Sequence, residues 1–252
     1  MEVVRLKQSK YRGIISLLFS FVFFTAICIL ILIFSPNDNE TSASTQALLF
    51  GDEIVVIDAG HGGEDGGAVS ISGAIESQLN LSISQRLDSI FGLYGVNTVL
   101  LRNHDISLHS SDAQTIREKK VSDLHNRVNT IESMDDPVVI SIHQNTFSSS
   151  KYHGAQVFYA KDERSLPLAQ ITQNTLREVL DPENTRKPAA VSETVYLMNH
   201  ISCRAILVEC GFLSNPEEDT LLQTSDYQKK LAAALAGAYI QYTKEGEGTN
   251  AS

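Results

Sequence analysis

The chain has 252 residues, of which 42% are hydrophobic, with glycine and proline at ordinary globular levels. Roughly the first 50 residues are not typical globular sequence, which leaves about 200, enough for one well-buried domain and thin for two. The formal charge is −10, and the four basic and one acidic residues ahead of the first apolar run leave the remainder near −13. Such a surface repels phosphate backbones and excludes a nucleic-acid partner.

In chain order, residues 1–12 carry Arg5, Lys7, Lys10 and Arg12. Gly13 to Phe34 has no charged residue and is long enough to span a bilayer as a helix. The flanking cations place residues 1–12 in the cytoplasm and everything after Ser35 outside. A cleaved signal peptide, leaving a secreted protein, is the alternative, because small residues at 42–47 suit a cleavage site. A polar linker follows at 35–52 and lifts the next segment off the membrane.

Residues 53–243 read as one domain. Ile54–Asp58 suits a buried strand. Leu79, Ile83, Leu87 and Ile90 recur at helical spacing, and Gly95 can close that helix. Val96–Leu101 reads as a strand and Asp112–Glu132 as a helix. Val138–Ile142 and Ala205–Val208 are buried-strand runs, with Gly154–Ala160 and Thr194–Met198 as further strands. Helices are expected at Ser165–Leu180 and Asp226–Tyr242, and residues 244–252 form a polar, glycine-containing tail. This alternation predicts an α/β domain with a twisted, mostly parallel central sheet flanked by helices. Cys203 and Cys210 fit either a disulfide or two small buried residues.

The polar residues at strand ends carry the chemistry. His61 follows the first strand through a turn, DAGHGGEDGGA at 58–68, with five glycines in eleven residues. His143 directly follows VVISI, and Glu209 directly follows AILV. Ligands of open α/β sheets gather beyond the carboxyl ends of the strands. Glu76 starts the helix that returns from the first strand and can reach the same edge. Two imidazoles and a carboxylate leave one position free on tetrahedral zinc, the layout of a catalytic metal site. A phosphate-binding loop is the competing reading of the turn, but the GK[ST] and GxGxxG patterns are absent. Asp58 or Asp65 can orient a ligand imidazole, with a structural role preferred for Asp65. Arg102 and Asn80 can contact substrate or pair locally, and the local role is preferred.

These stretches resemble the zinc-dependent N-acetylmuramoyl-L-alanine amidases. The resemblance rests on VVIDAGHGGEDGGA, ESQLNLSISQRL, LLRNHD, SDLHNRVN, VVISIHQNTF and AILVECGFLSNPEE, in the family's order across about residues 53–242. It implies a compact α/β fold, one Zn2+ bound by His61, Glu76 and His143, and Glu209 as the catalytic glutamate. DPENTRKPAAVSETVYLMNH is similar to the germination-specific enzymes of the spore cortex, which strip peptide from muramic acid so that muramic-δ-lactam forms. Gln144 and Thr146 depart from the small residues that the family often has there. Gln144–Val208 is too short to add the inhibitory helix of some members. The implied partners are peptidoglycan, the membrane through the N-terminal helix, and an activating or delivery protein. Two other classes remain: a zinc hydrolase of another peptidoglycan bond and a non-catalytic wall-binding protein.

Overall fold

A computed structural model describes residues 53–250 of the chain. Residues 1–12, the apolar segment 13–34 and the linker 35–52 lie outside the described residues, and so does the question of an anchor. Among the described residues, no helix is long and apolar enough to cross a membrane.

The domain is α/β. Its elements are β1 (Ile54–Ala59), α1 (Glu76–Tyr94), β2 (Asn97–Leu100), α2 (Ile116–Glu132), β3 (Val138–Asn145), β4 (Gln156–Tyr159), α3 (Ser165–Leu180), β5 (Ala189–Ala190), α4 (Tyr196–His200), β6 (Arg204–Phe212), α5 (Pro216–Leu222) and α6 (Ser225–Asn250). One sheet runs in the order β2-β1-β3-β6-β4-β5. All neighbours in it are parallel except β4, which pairs antiparallel with β6. The sheet is therefore mixed and mostly parallel, in line with the sequence reading.

Burial on both faces explains the near-continuous apolar strands. Val55, Ile57, Ile140, Ile142, Ile206 and Val208 face one core with Leu79, Ile83, Leu87 and Phe91 of α1, Leu168 and Leu176 of α3, and Leu231 and Leu235 of α6. Val56, Val139, Ala205 and Leu207 face the other core with Ile131 of α2 and Leu197 and Met198 of α4. Each Val, Leu, Ile, Phe or Met among them, when fully buried, contributes about 1.5–3 kcal/mol relative to exposure.

Local signals set the helix ends. Gly95 adopts φ 72 and closes α1, a backbone conformation that costs glycine little. α2 begins at Ile116 rather than Asp112, because Thr115 and Glu118 form a reciprocal capping box that fixes its start. Asn215 accepts from the backbone N–H groups of Glu217 and Glu218, and Pro216 opens α5. α6 continues past Tyr242 to Asn250, since adding residues to an existing helix is easier than starting one. Thr194–Met198 is not a strand: the chain turns there and enters α4. Five residues are too few for period 2 and period 3.6 to be told apart. Cys203 and Cys210 are both free and buried, one in each core, so the apolar alternative holds.

Candidate metal centre

β1, β3 and β6 lie side by side, and their carboxyl ends form one edge. β1 runs through Gly60 into His61, whose φ of 62 is left-handed and rare for a residue with a Cβ. His143 and Glu209 are direct partners in the β3–β6 register. Glu76 is the first residue of α1 and is 4% exposed. His61, Glu76 and His143 each offer one ligand atom, and these atoms lie within 4.8 Å of one another.

Glu76 is held from several sides. Its Oε2 accepts from the Ala68 N–H at 2.8 Å, and its Oε1 accepts from the Gln144 N–H at 3.1 Å and from Asn80 Nδ2 at 3.3 Å. The same Oε1 faces His143 Nδ1 at 3.1 Å and His61 Nε2 at 3.4 Å. Two glycines make this approach possible. A Cβ on Gly60 would stand 2.2 Å from the His143 ring, and one on Gly67 would stand 2.6 Å from Glu76 Oε2.

His61 is strained, and its surroundings hold it. Asp65 Oδ2 lies 3.0 Å from His61 Nδ1 and leaves Nε2 toward Glu76. The His61 carbonyl accepts from Arg127 Nη2 at 2.8 Å. Arg127 also donates to the Ala59 carbonyl and pairs with Asp58 and Asp123. Arg102 donates to the carbonyls of Ala59, Gly60 and Ser77 at 2.8, 3.0 and 2.8 Å. Arg102 thus acts locally, as its sequence context suggests. Asp58 accepts from Ser141 and Arg127 and does not touch an imidazole, whereas Asp65 does. Sequence reasoning passed over Arg127. Asp123, Arg127 and Ile131 share one buried face of α2 at spacing four, and a charged pair on such a stripe is the signal that could have found it.

The electrostatics favour positive charge at this point. Burial disfavours a charged His61, yet hydrogen bonds to Asp65 and Glu76 outweigh it and raise its pKa to about 9. Burial also opposes the Glu76 carboxylate, but the two imidazoles hold its pKa far below the usual range. Glu209 behaves oppositely: burial pushes its pKa up to about 7, and its Oε2 is buried without a hydrogen-bond partner. Two nitrogens and one oxygen aimed at a common point, a glycine cradle that lets them meet, and an unpartnered carboxylate oxygen nearby fit a zinc ion.

Arg127 supports a stability prediction. Burial tends to raise the Asp58 pKa, but Arg127 and Ser141 hold it below its ordinary value. A depressed folded pKa contributes stability above the unfolded pKa, and that contribution is lost as pH falls through the folded one. Arg127→Met leaves the buried Asp58 unpaired and should destabilise the domain by about 3–5 kcal/mol at pH 7. Urea titrations at pH 7 and pH 3 check this. The difference between wild type and variant should shrink at the lower pH.

An α/β sheet with three convergent ligand atoms beside a buried, unpartnered carboxylate has the layout of a metal-assisted hydrolase. The family model described as N-acetylmuramoyl-L-alanine amidase matches residues 55–241. The chain belongs to that amidase family. It is 33% identical over 228 residues to the germination-specific N-acetylmuramoyl-L-alanine amidase of Bacillus subtilis, covering 89% of this chain and 95% of that one. It is 27% identical to the amidase AmiA of Escherichia coli, covering 76% of each chain. Among solved structures it resembles the CwlD amidase of Clostridioides difficile, determined in complex with the GerS lipoprotein. The TM-score is 0.73 at 35% identity, covering 77% of this chain and 99% of that one.

Proposed function

We propose that this amidase uses zinc to hydrolyse the bond between N-acetylmuramic acid and L-alanine in spore-cortex peptidoglycan. The observation that carries the reading is the convergence of His61, Glu76 and His143 beside the unpartnered carboxylate of Glu209. His61, Glu76 and His143 would hold the ion. Zinc held there supplies a Lewis acid that polarises an amide carbonyl and acidifies water near neutral pH. Glu209, with a pKa near 7, accepts the proton of the attacking water and hands it to the alanine nitrogen as the C–N bond breaks. Asp65 fixes the tautomer of His61, and Arg127 and Arg102 hold the turn that carries it.

A role in the spore cortex is supported by the likeness to a germination-specific relative over nearly its whole length. There the enzyme would clear peptide from muramic acid before δ-lactam formation. The uncharged run 13–34 would anchor the enzyme with its catalytic domain on the extracytoplasmic side. A delivery or activating protein is proposed as well, since the CwlD relative was solved with a lipoprotein.

The test uses full-length protein in detergent on purified peptidoglycan, with zinc and with a chelator, read by mass spectrometry. Peptides with an intact N-terminal alanine should appear with zinc and vanish with chelator. Deacetylated glycan or split cross-links in place of free peptide would overturn the reading.

A further inference from the structure

The cavity lined by His61, His143 and Glu209 has a volume of about 250 Å³. Much of its remaining wall is apolar, with Leu124, Val195, Leu197, Met198 and Leu207. Two Lys or Arg side chains line it among the described residues, Arg127 and Lys120. Arg127 is 2% exposed and committed to Asp58, Asp123 and two backbone carbonyls. Lys120 is different. Its side chain is 53% exposed, and its ammonium, with three N–H donors, pairs with Asp65 Oδ2 at 3.1 Å. That oxygen is already engaged by His61 Nδ1 at 3.0 Å. Lys120 therefore brings a cation with spare donors to the cleft of a strongly acidic chain.

The substrate chemistry says which part can use it. A glycan strand continues in both directions past the scissile bond and needs open surface. The stem peptide leaves the strand sideways, and its first side chain is a methyl group, which suits a small apolar cavity. The next residue is a glutamate joined through its side-chain carboxyl, which leaves an α-carboxylate free. Resting on the amidase reading above, we propose that Lys120 is a specificity residue for the leaving peptide and that its ammonium pairs with this α-carboxylate.

The experiment uses full-length zinc-loaded enzyme and two synthetic muramoyl peptides, identical except for an α-carboxylate or an α-carboxamide on the second residue. The readout is the ratio of kcat/KM for the acid over the amide, together with zinc content. Wild type should favour the acid. Lys120→Ala should lower the ratio about five- to tenfold, chiefly through KM for the acid. Lys120→Arg should keep the ratio within about twofold, because the charge remains. Lys120→Glu should lower it further than alanine does. A ratio that is the same in wild type, K120A and K120E overturns the proposal. So does an equal loss on both substrates with reduced zinc, which would make Lys120 only a support for Asp65. Failure of zinc-loaded wild type to cleave either substrate would instead sink the amidase site itself.

Discussion

Glu209→Gln is expected to lower kcat by about two to four orders of magnitude while leaving zinc bound. The side chain sits at the end of β6, directly across from His143 in the strand register. Its Oε2 is buried and has no donor, so the structure satisfies nothing by placing a carboxylate there. An unpaired buried carboxylate costs stability unless function retains it. Glutamine keeps the shape and removes the ability to accept a proton. The variant should fold at least as well as wild type, because a neutral amide in that position is easier to bury. Kinetics on peptidoglycan and metal analysis of the same preparation check both halves. Near-normal turnover by a folded, zinc-loaded variant removes Glu209 from the mechanism.

The second large effect is loss of the ion. His143→Ala should weaken zinc binding by at least about a hundredfold, more than the loss of an outer-sphere partner costs. The imidazole is one of three donors within 4.8 Å, and no other His, Cys, Asp or Glu is grouped with them among the described residues. The strand itself should survive, since Ile140 and Ile142 anchor β3 in one core and Val139 in the other. Competition with a chromogenic chelator measures the affinity, and circular dichroism checks the fold. Undiminished binding of one zinc per chain would contradict the assignment.

Much of this architecture was legible in the sequence because β1, β3 and β6 are buried on both faces. That burial makes IVVID, VVISI and AILV stand out as apolar runs, and it makes the His or Glu that follows each one conspicuous. Asp65 was legible as one of two residues able to orient an imidazole, but a turn role was preferred for it. That it reaches back to His61 depends on the left-handed backbone at 61, which spacing does not reveal. Arg127 was hidden for a related reason. On a helix an arginine usually faces water, and its burial here follows from Asp58, which lies 69 positions earlier. The small α4 was misread as a strand because its five residues satisfy either period. The antiparallel β4 was located, but its direction is set by pairing with β6, which no local pattern encodes.

Position 143 lies 67 residues beyond position 76, and two inner strands must already be zipped together before all three side chains meet. An ion held by these three side chains would act as a latch on the completed topology. It would raise the resistance of the assembled state to unfolding, the more so the more tightly the ion is held and the more of it is free. Starving the surroundings of the ion would then cost the enzyme both its chemistry and part of its durability.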